Sequence, residues 1–556
     1  MGCAPRDRPH GADLRLRQAS ARSRAVRRSV VAVRLRGASC VKRRAKNKGE
    51  ALSQGSFSEA DVIVVGGGGA GLAAAAEAAR LGRSVIVLEK NPQTGGTTSW
   101  SVGSITATNT PHQQRAGIKD SPLAHFEDLA LHAGPLAPRD NLALRRVLVD
   151  NTTDMLDWLM GLGIVFVGPM PEPPHRYPRM HNVVPNSKSF AYHLTRHCRE
   201  LGVEICVNTR SERLIEENGR IVGVEAAMPA GGRHVFRARG GVVLASGDYA
   251  GAADLKSCLA SPDLADVEAV NASATGDGHR MALDIGATVV NGDIVRGPIM
   301  RFVPPTRPNI IQRLPPIAAV AHAIAWSMNV LPQWILRPFL MSFLTTALGP
   351  SPDLFRQGAI LVNSEGKRFT DELAQPARDV PKQPQRIAYI LFDEAMAEKF
   401  EAWPYFVSTA PGVAYAYLGD YRRNRRDIFH HGNTPSELAA SMHVPAAQLA
   451  ATLERYNAAE RSGRTALARA PYYALGPIKS YVVFTDGGLN VSDRLEVLRE
   501  DGSIIPGLYA AGSAGQGGLL LEGHGHHLGW AFISGRIAGR NAACETIGKS
   551  AAGVPA

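Results

Sequence analysis

Six consecutive positions near the end of the chain, 522–527, contain Glu522, His524, His526 and His527. Imidazole titrates near neutral pH, so such a segment can hand a proton to a substrate or take one away. Tyr481 adds a phenol that can donate to a carbonyl oxygen or act as an acid. An H-x-H-H run can also chelate, but nothing else supplies ligands, so no metal is expected. Toward the other end, Gly66, Gly68 and Gly71 form G-x-G-x-x-G, a pattern that lets a phosphate group approach the backbone.

Those glycines need a frame. Ala60 to Val65 is a short apolar run rich in β-branched residues, and it leads straight into them; the Ala-rich stretch Leu72 to Leu81 follows. The order is strand, turn, helix. Gly66 permits the tight turn, Gly68 the approach of a pyrophosphate to backbone N–H groups, and Gly71 close packing of helix on strand. The helix N-terminus then faces the phosphates. A second strand, Ser84 to Leu88, ends in Glu89, which lies 18 residues after Gly71 and is placed to accept hydrogen bonds from ribose hydroxyls.

Glu89-Lys90 followed by Gly95-Gly96-Thr97-Thr98-Ser99 resembles the second FAD-contacting loop of the fumarate reductase and 3-ketosteroid dehydrogenase flavoproteins, the FAD-dependent oxidoreductase 2 superfamily. Further stretches resemble the family in the same order: Gly240 to Gly247, Ala274 to Gly278, Gly358 to Glu372, Gly487 to Leu489, Val497 to Gly502 and Pro506 to Gly512. The resemblance implies an α/β fold, a discontinuous Rossmann-like FAD-binding domain with an inserted α+β capping domain. The FAD domain is expected over 57–300 and 466–556, the cap over 301–465 and a basic leader over 1–56. FAD contacts are implied for Gly66, Gly68, Ala70, Gly71, Glu89, Lys90, Gly96, Thr97, Thr98, Gly103, Gly247, Asp277, Gly512, Ser513, Gly525 and Leu528. A helix beginning at Leu528 should point at the flavin. Succinate dehydrogenase flavoproteins have a His after the second glycine loop for covalent attachment; Ser99-Trp100-Ser101 stand here, so the FAD is expected to be non-covalent.

The chain departs from the family where substrates are held. Fumarate reductases protonate with an Arg four residues after the Glu of the R-F-x-x-E run; that position is Pro376, and the nearest candidate is Arg378. The His-Pro at the start of the family's cap is replaced by sequence around Arg301-Phe302. Ketosteroid dehydrogenases place a Tyr before a glycine doublet, where this chain has Leu521, although the glycine is kept as Gly525. The function implied is an FAD-dependent dehydrogenase or reductase acting on CH–CH groups. It moves hydride between flavin N5 and a carbon–carbon bond beside the carbonyl of a lipophilic, steroid-like ketone. Arg378, Glu522, His524, His526 and Tyr481 are the candidates for proton transfer or carbonyl polarisation. A dicarboxylate oxidoreductase with a rebuilt clamp, and a non-catalytic flavin electron-transfer module, are the alternatives; the electron partner is left open.

Between Pro315 and Pro352 lie two apolar stretches, Ile317 to Trp326 and Trp334 to Leu344, separated by Pro332. Neither reaches the roughly 20 residues that span a bilayer. They read as buried cap helices, or as a greasy substrate opening that rests on a membrane surface through 317–344 with Trp326 and Trp334 at the interface. The net charge of +12 belongs to residues 1–50, with 15 basic and 3 acidic residues, because the remaining 47 basic and 47 acidic residues cancel. A nucleic-acid groove would leave its positive charge on the fold, so no such partner is expected. The leader's Arg, Ala and Ser weakly resemble a transit peptide, and the six cysteines form no C-x-x-C pair; a reducing, cytoplasmic setting is expected.

Overall fold

The computed structural model describes residues 57–307, 310–410, 414–459 and 463–551, so the leader expected over 1–56 lies outside the described residues. The strand Phe57–Val65 (β1) is buried from Ala60 onward. It runs parallel to Val85–Leu88 (β2) on one side and to Arg233–Leu244 on the other. A parallel strand covered on both faces needs apolar side chains at every position, which is why Val62 to Val65 do not alternate. From edge to edge the sheet reads Glu496–Leu498, Ile504–Ala510, Arg233–Leu244, β1, β2 and Glu204–Cys206, and a hairpin of Arg210–Glu217 and Arg220–Ala227 extends Arg233–Leu244. Ile504–Ala510 joins Arg233–Leu244 in parallel from far along the chain, and so makes this domain discontinuous.

The helix Gly69–Arg80 (α1) connects β1 to β2 and packs along the long helix His526–Ala551. Its run of alanines has a steric cause. A Cβ at Gly535 would lie 2.2 Å from the Ala70 carbonyl oxygen, and one at Gly539 would lie 2.1 Å from that of Ala74. The two helices approach so closely that only Ala faces Gly. The long helix begins at His526, two residues before the expected start at Leu528, which draws His526 and His527 into its first turn.

A second hydrophobic core runs from Phe302 to Ile478, past the boundary expected at 465. Its sheet is organised on Tyr472–Val482 (β4), which pairs with Ile299–Phe302 (β3), Ala388–Asp393 and Phe429–Gly432. The apolar insertion folds as two helices, Ala318–Val330 (α2) and Gln333–Ala347 (α3), separated by Leu331-Pro332. Among the described residues no helix is long and apolar enough to cross a membrane.

Candidate active site

The turn after β1 is shaped by contact on one side and by space on the other. A Cβ on Gly71 would lie 1.8 Å from the Gly66 carbonyl oxygen, so this position holds the helix against the turn. Nothing lies within 4 Å of where a Cβ on Gly68 would sit. Gly68 has an ordinary extended backbone, with φ −77°, so its missing side chain keeps that space clear. The second glycine loop closes over the first, because Gly95 N–H donates to the Gly67 carbonyl at 2.8 Å and Gly69 N–H donates to Thr98 Oγ1 at 3.2 Å. Ala70 packs beneath Gly512, whose Cβ would lie 2.9 Å from the alanine methyl.

Glu89 is buried, and its Oε2 accepts from Gly67 N–H at 2.8 Å while Oε1 accepts from Asn91 N–H at 2.8 Å. Each carboxylate oxygen has two lone pairs, so Oε2 keeps capacity for a ribose hydroxyl. Lys90 Nζ bonds Asp277 at 2.7 Å and Thr275 Oγ1 at 2.5 Å, tying the end of β2 to the Asp277 turn, and Arg210 reaches the same carboxylate at 2.8 Å. Gly247 has φ +79° with open space beside it. An open glycine at a helix N-terminus, facing a clear channel and followed by a buried acid, fits the pyrophosphate and ribose of FAD.

Beyond this turn opens a cavity of about 2880 Å³. One wall comes from the first domain: the loop Gly96–Ser104, which includes Thr97, Thr98 and Gly103, together with Ser513, His524, Gly525, His527 and Leu528. Further lining comes from the second core's sheet and the insertion: Arg301 on β3, Tyr481 on β4, and side chains of α2 and α3 that include Ile324, Trp334, Arg337 and Phe339. The cavity is therefore lined both from the glycine-loop domain and from the elements around the second core.

The cavity separates the candidate catalytic residues. Tyr481 and His524 line it. His524 Nδ1 is hydrogen-bonded to the Glu172 carboxylate, which also accepts the His524 backbone N–H at 2.8 Å. The Glu172 hydrogen bond raises the His524 pKa against the effect of burial. Burial raises the Tyr481 pKa, and Arg301 pulls it the other way.

Glu522, His526 and Arg378 do not line the cavity. Glu522 turns aside to pair with Arg296, which also holds Asp486 at 2.7 Å. Arg378 sits on the short helix Pro376–Asp379 with its side chain half exposed, 4.0 Å from Asp263. His526 is fully buried among His125, His132 and His175, and burial holds its pKa well below the ordinary histidine value.

Nitrogens of His125, His175 and His526 lie within 4.8 Å of one another, close enough to hold an ion. Their hydrogen bonds give them another arrangement. His526 Nδ1–H donates to the Glu522 carbonyl, so its Nε2 accepts from His125 Nε2–H at 3.1 Å. Arg179 donates to His175 Nδ1 at 2.8 Å, which leaves the His175 proton on Nε2 and opposes ligation there.

Arg301 was visible in the sequence only as a replacement for a family motif. In the structure its guanidinium faces the cavity, burial lowers its pKa, and Tyr481 is the group that counters this. Among the described residues no carboxylate pairs with it. A half-buried cation that lines a cavity and has no carboxylate beside it is available to a ligand oxygen. No spacing rule reveals such a group, because the lack of a partner exists only in three dimensions.

Residues 61–307 and 331–520 match the model of the FAD binding domain family. Urocanate reductase from Eggerthella lenta is 27% identical over 528 residues, covering 88% of this chain and 75% of the relative. The open conformation of a flavocytochrome c3 fumarate reductase superposes with a TM-score of 0.66 at 25% identity, over 89% of this chain and 79% of the other. A 3-ketosteroid-Δ4-(5α)-dehydrogenase from Rhodococcus jostii superposes with a TM-score of 0.55 at 25% identity, over 89% of this chain and 99% of the other.

Proposed function

This chain belongs to the FAD binding domain family and is an FAD-dependent oxidoreductase; from that premise we propose that it acts on a carbon–carbon bond beside the carbonyl of a lipophilic small molecule. FAD, when bound, supplies hydride transfer. The chain's residues bind, orient and protonate. The observation that carries the reading is the cavity itself: Arg301 on β3 and Tyr481 on β4 line it together with Ile324, Trp334, Ile335, Phe339, Leu340 and Leu344 of α2 and α3, and the loop Gly96–Ser104 lines it too. Polar donors beside an apolar stretch of wall suit a molecule with one oxygen-bearing end and a large hydrocarbon body. A guanidinium and a phenol at the substrate oxygen stabilise the negative charge that develops there as the adjacent carbons change hydrogenation state. His524, whose pKa the Glu172 hydrogen bond raises, is the candidate proton donor in the same cavity.

A second reading rests on the same arginine. Among the described residues Arg301 has no counter-ion, and a carboxylate satisfies it more fully than a ketone does. The named relatives include a urocanate reductase and a fumarate reductase, so an unsaturated acid with an apolar body is the alternative substrate. Anaerobic titration of the bound flavin separates the two. Lipophilic ketones and enones, and unsaturated acids beside their methyl esters, are added and the flavin absorbance is followed. Redox exchange with the ketones, or with acid and ester alike, supports the carbonyl reading. Exchange with the free acids alone supports the carboxylate reading, and no exchange with any compound refutes both.

A further inference from the structure

The face that α2 turns to solvent is the reverse of an ordinary surface helix. Its exposed positions are Ala319, His322, Ala323, Trp326 and Val330, which recur at helical spacing, and none carries a fixed charge. A solvent-facing stripe of a soluble helix is normally charged. The apolar face continues round the Leu331-Pro332 turn into α3. Trp326 is 64% exposed, Val330 57%, Trp334 75% and Phe339 55%. From Phe302 to Pro352 the chain contains no Asp or Glu, while Arg307 and Arg313 are exposed.

We propose that the α2–α3 hairpin docks this protein on the surface of an anionic lipid bilayer. Helices of 13 and 15 residues are too short to span a bilayer, and an apolar face with tryptophans at its edge suits the headgroup boundary. Charge selects lipid over a second copy of the chain. Lys188, whose Nζ donates to the Gln312 carbonyl at 3.2 Å, sets an exposed cation at the foot of the insertion; on the same helix, Lys188–Glu200, Arg199 is exposed and Arg196 pairs with Glu200 at 3.3 Å, so with Arg307 and Arg313 the rim keeps a net positive charge. Two such basic rims would repel each other across a dimer interface, whereas anionic headgroups attract them. Leu331, Trp334, Phe339 and Leu340 are exposed and also line the cavity, so the cavity opens on this face. Docking there would let a lipid-dissolved substrate enter without crossing water; this route rests on the lipophilic substrate proposed above, whereas the docking itself does not.

The test needs no substrate. FAD-loaded protein is sedimented with phosphatidylcholine vesicles and with vesicles containing about 30% phosphatidylglycerol. Binding to the anionic vesicles at least about fivefold tighter than to the neutral ones, the worth of one interfacial cation, is expected. A blue shift of tryptophan emission should accompany it. The variant Trp326→Ser/Val330→Ser, at two exposed positions outside the cavity lining, should lose most of this binding while its flavin spectrum is unchanged. The proposal is overturned if wild-type protein stays in the supernatant with both vesicles or if the double variant binds as well as wild type. A dimer by light scattering that the double variant dissolves, with no vesicle binding, also overturns it, because a second copy then covers the face.

Discussion

His524 and Glu172 share one hydrogen bond, and its consequence is a pH dependence of known sign. The bond raises His524 and lowers Glu172. Its stabilisation is therefore complete at pH values below the ordinary histidine pKa and fades as pH rises through the raised value; on the acid side it fades as Glu172 is protonated. If His524 donates the proton, substrate reduction slows above its raised pKa. Glu172→Gln removes the largest cause of that shift, so the alkaline limb of kcat/KM should move to lower pH, toward an ordinary imidazole. A limb that stays in place in Glu172→Gln would assign the proton to another group. Glu522 and His526 occupy the same segment but have other tasks. Glu522 neutralises Arg296, and His526 fills a buried histidine array with its Nδ1–H on the Glu522 carbonyl.

At the scale of elements, the β1–α1 turn divides folding from cofactor binding between two glycines. Gly71→Ala places a methyl 1.8 Å from the Gly66 carbonyl oxygen, so helix and strand must separate, and the variant should express poorly or melt early. Gly68→Ala meets no protein atom within 4 Å at a φ of −77° that alanine accepts. Its methyl occupies the space reserved for the pyrophosphate. We expect the Gly68→Ala apoprotein to fold and unfold like wild type while FAD affinity, read by fluorescence titration, falls by tenfold or more, about 1.4 kcal/mol. This turn was the most legible part of the sequence, because its chemistry depends on neighbours a few residues apart.

Contacts between distant elements were not legible in that way. The run Glu522 to His527 looked like one catalytic cluster. Starting the helix at His526 turns that ring toward His125 on Pro122–Ala133, a contact across 401 residues. Arg378 was chosen by its spacing from a motif, and the fold places it on the outer side beside Asp263. Arg301 stands in the sequence only as the replacement for a family motif, because an arginine in a strand is ordinary until its partners in space are known.

Taken whole, the molecule has two hydrophobic cores that both contribute walls to one cavity, and FAD should bind along the wall of the first. A ligand that binds only the folded state stabilises it by about 2.7 kcal/mol at a hundredfold excess over its Kd. Thermal unfolding should therefore move to higher temperature with added FAD in the wild type and respond far less in Gly68→Ala. An equal response in both would show that the pyrophosphate does not pass Gly68.

Under the proposed function, Arg301 holds the substrate oxygen in the cavity. Anaerobic single-turnover mixing of the FAD-reduced protein with an effective acceptor, in wild type and Arg301→Leu, tests it. The account expects flavin reoxidation to slow by about a hundredfold in Arg301→Leu, the scale of losing one preorganised donor, with an unaltered spectrum of bound FAD. Reoxidation at the wild-type rate in Arg301→Leu would contradict it.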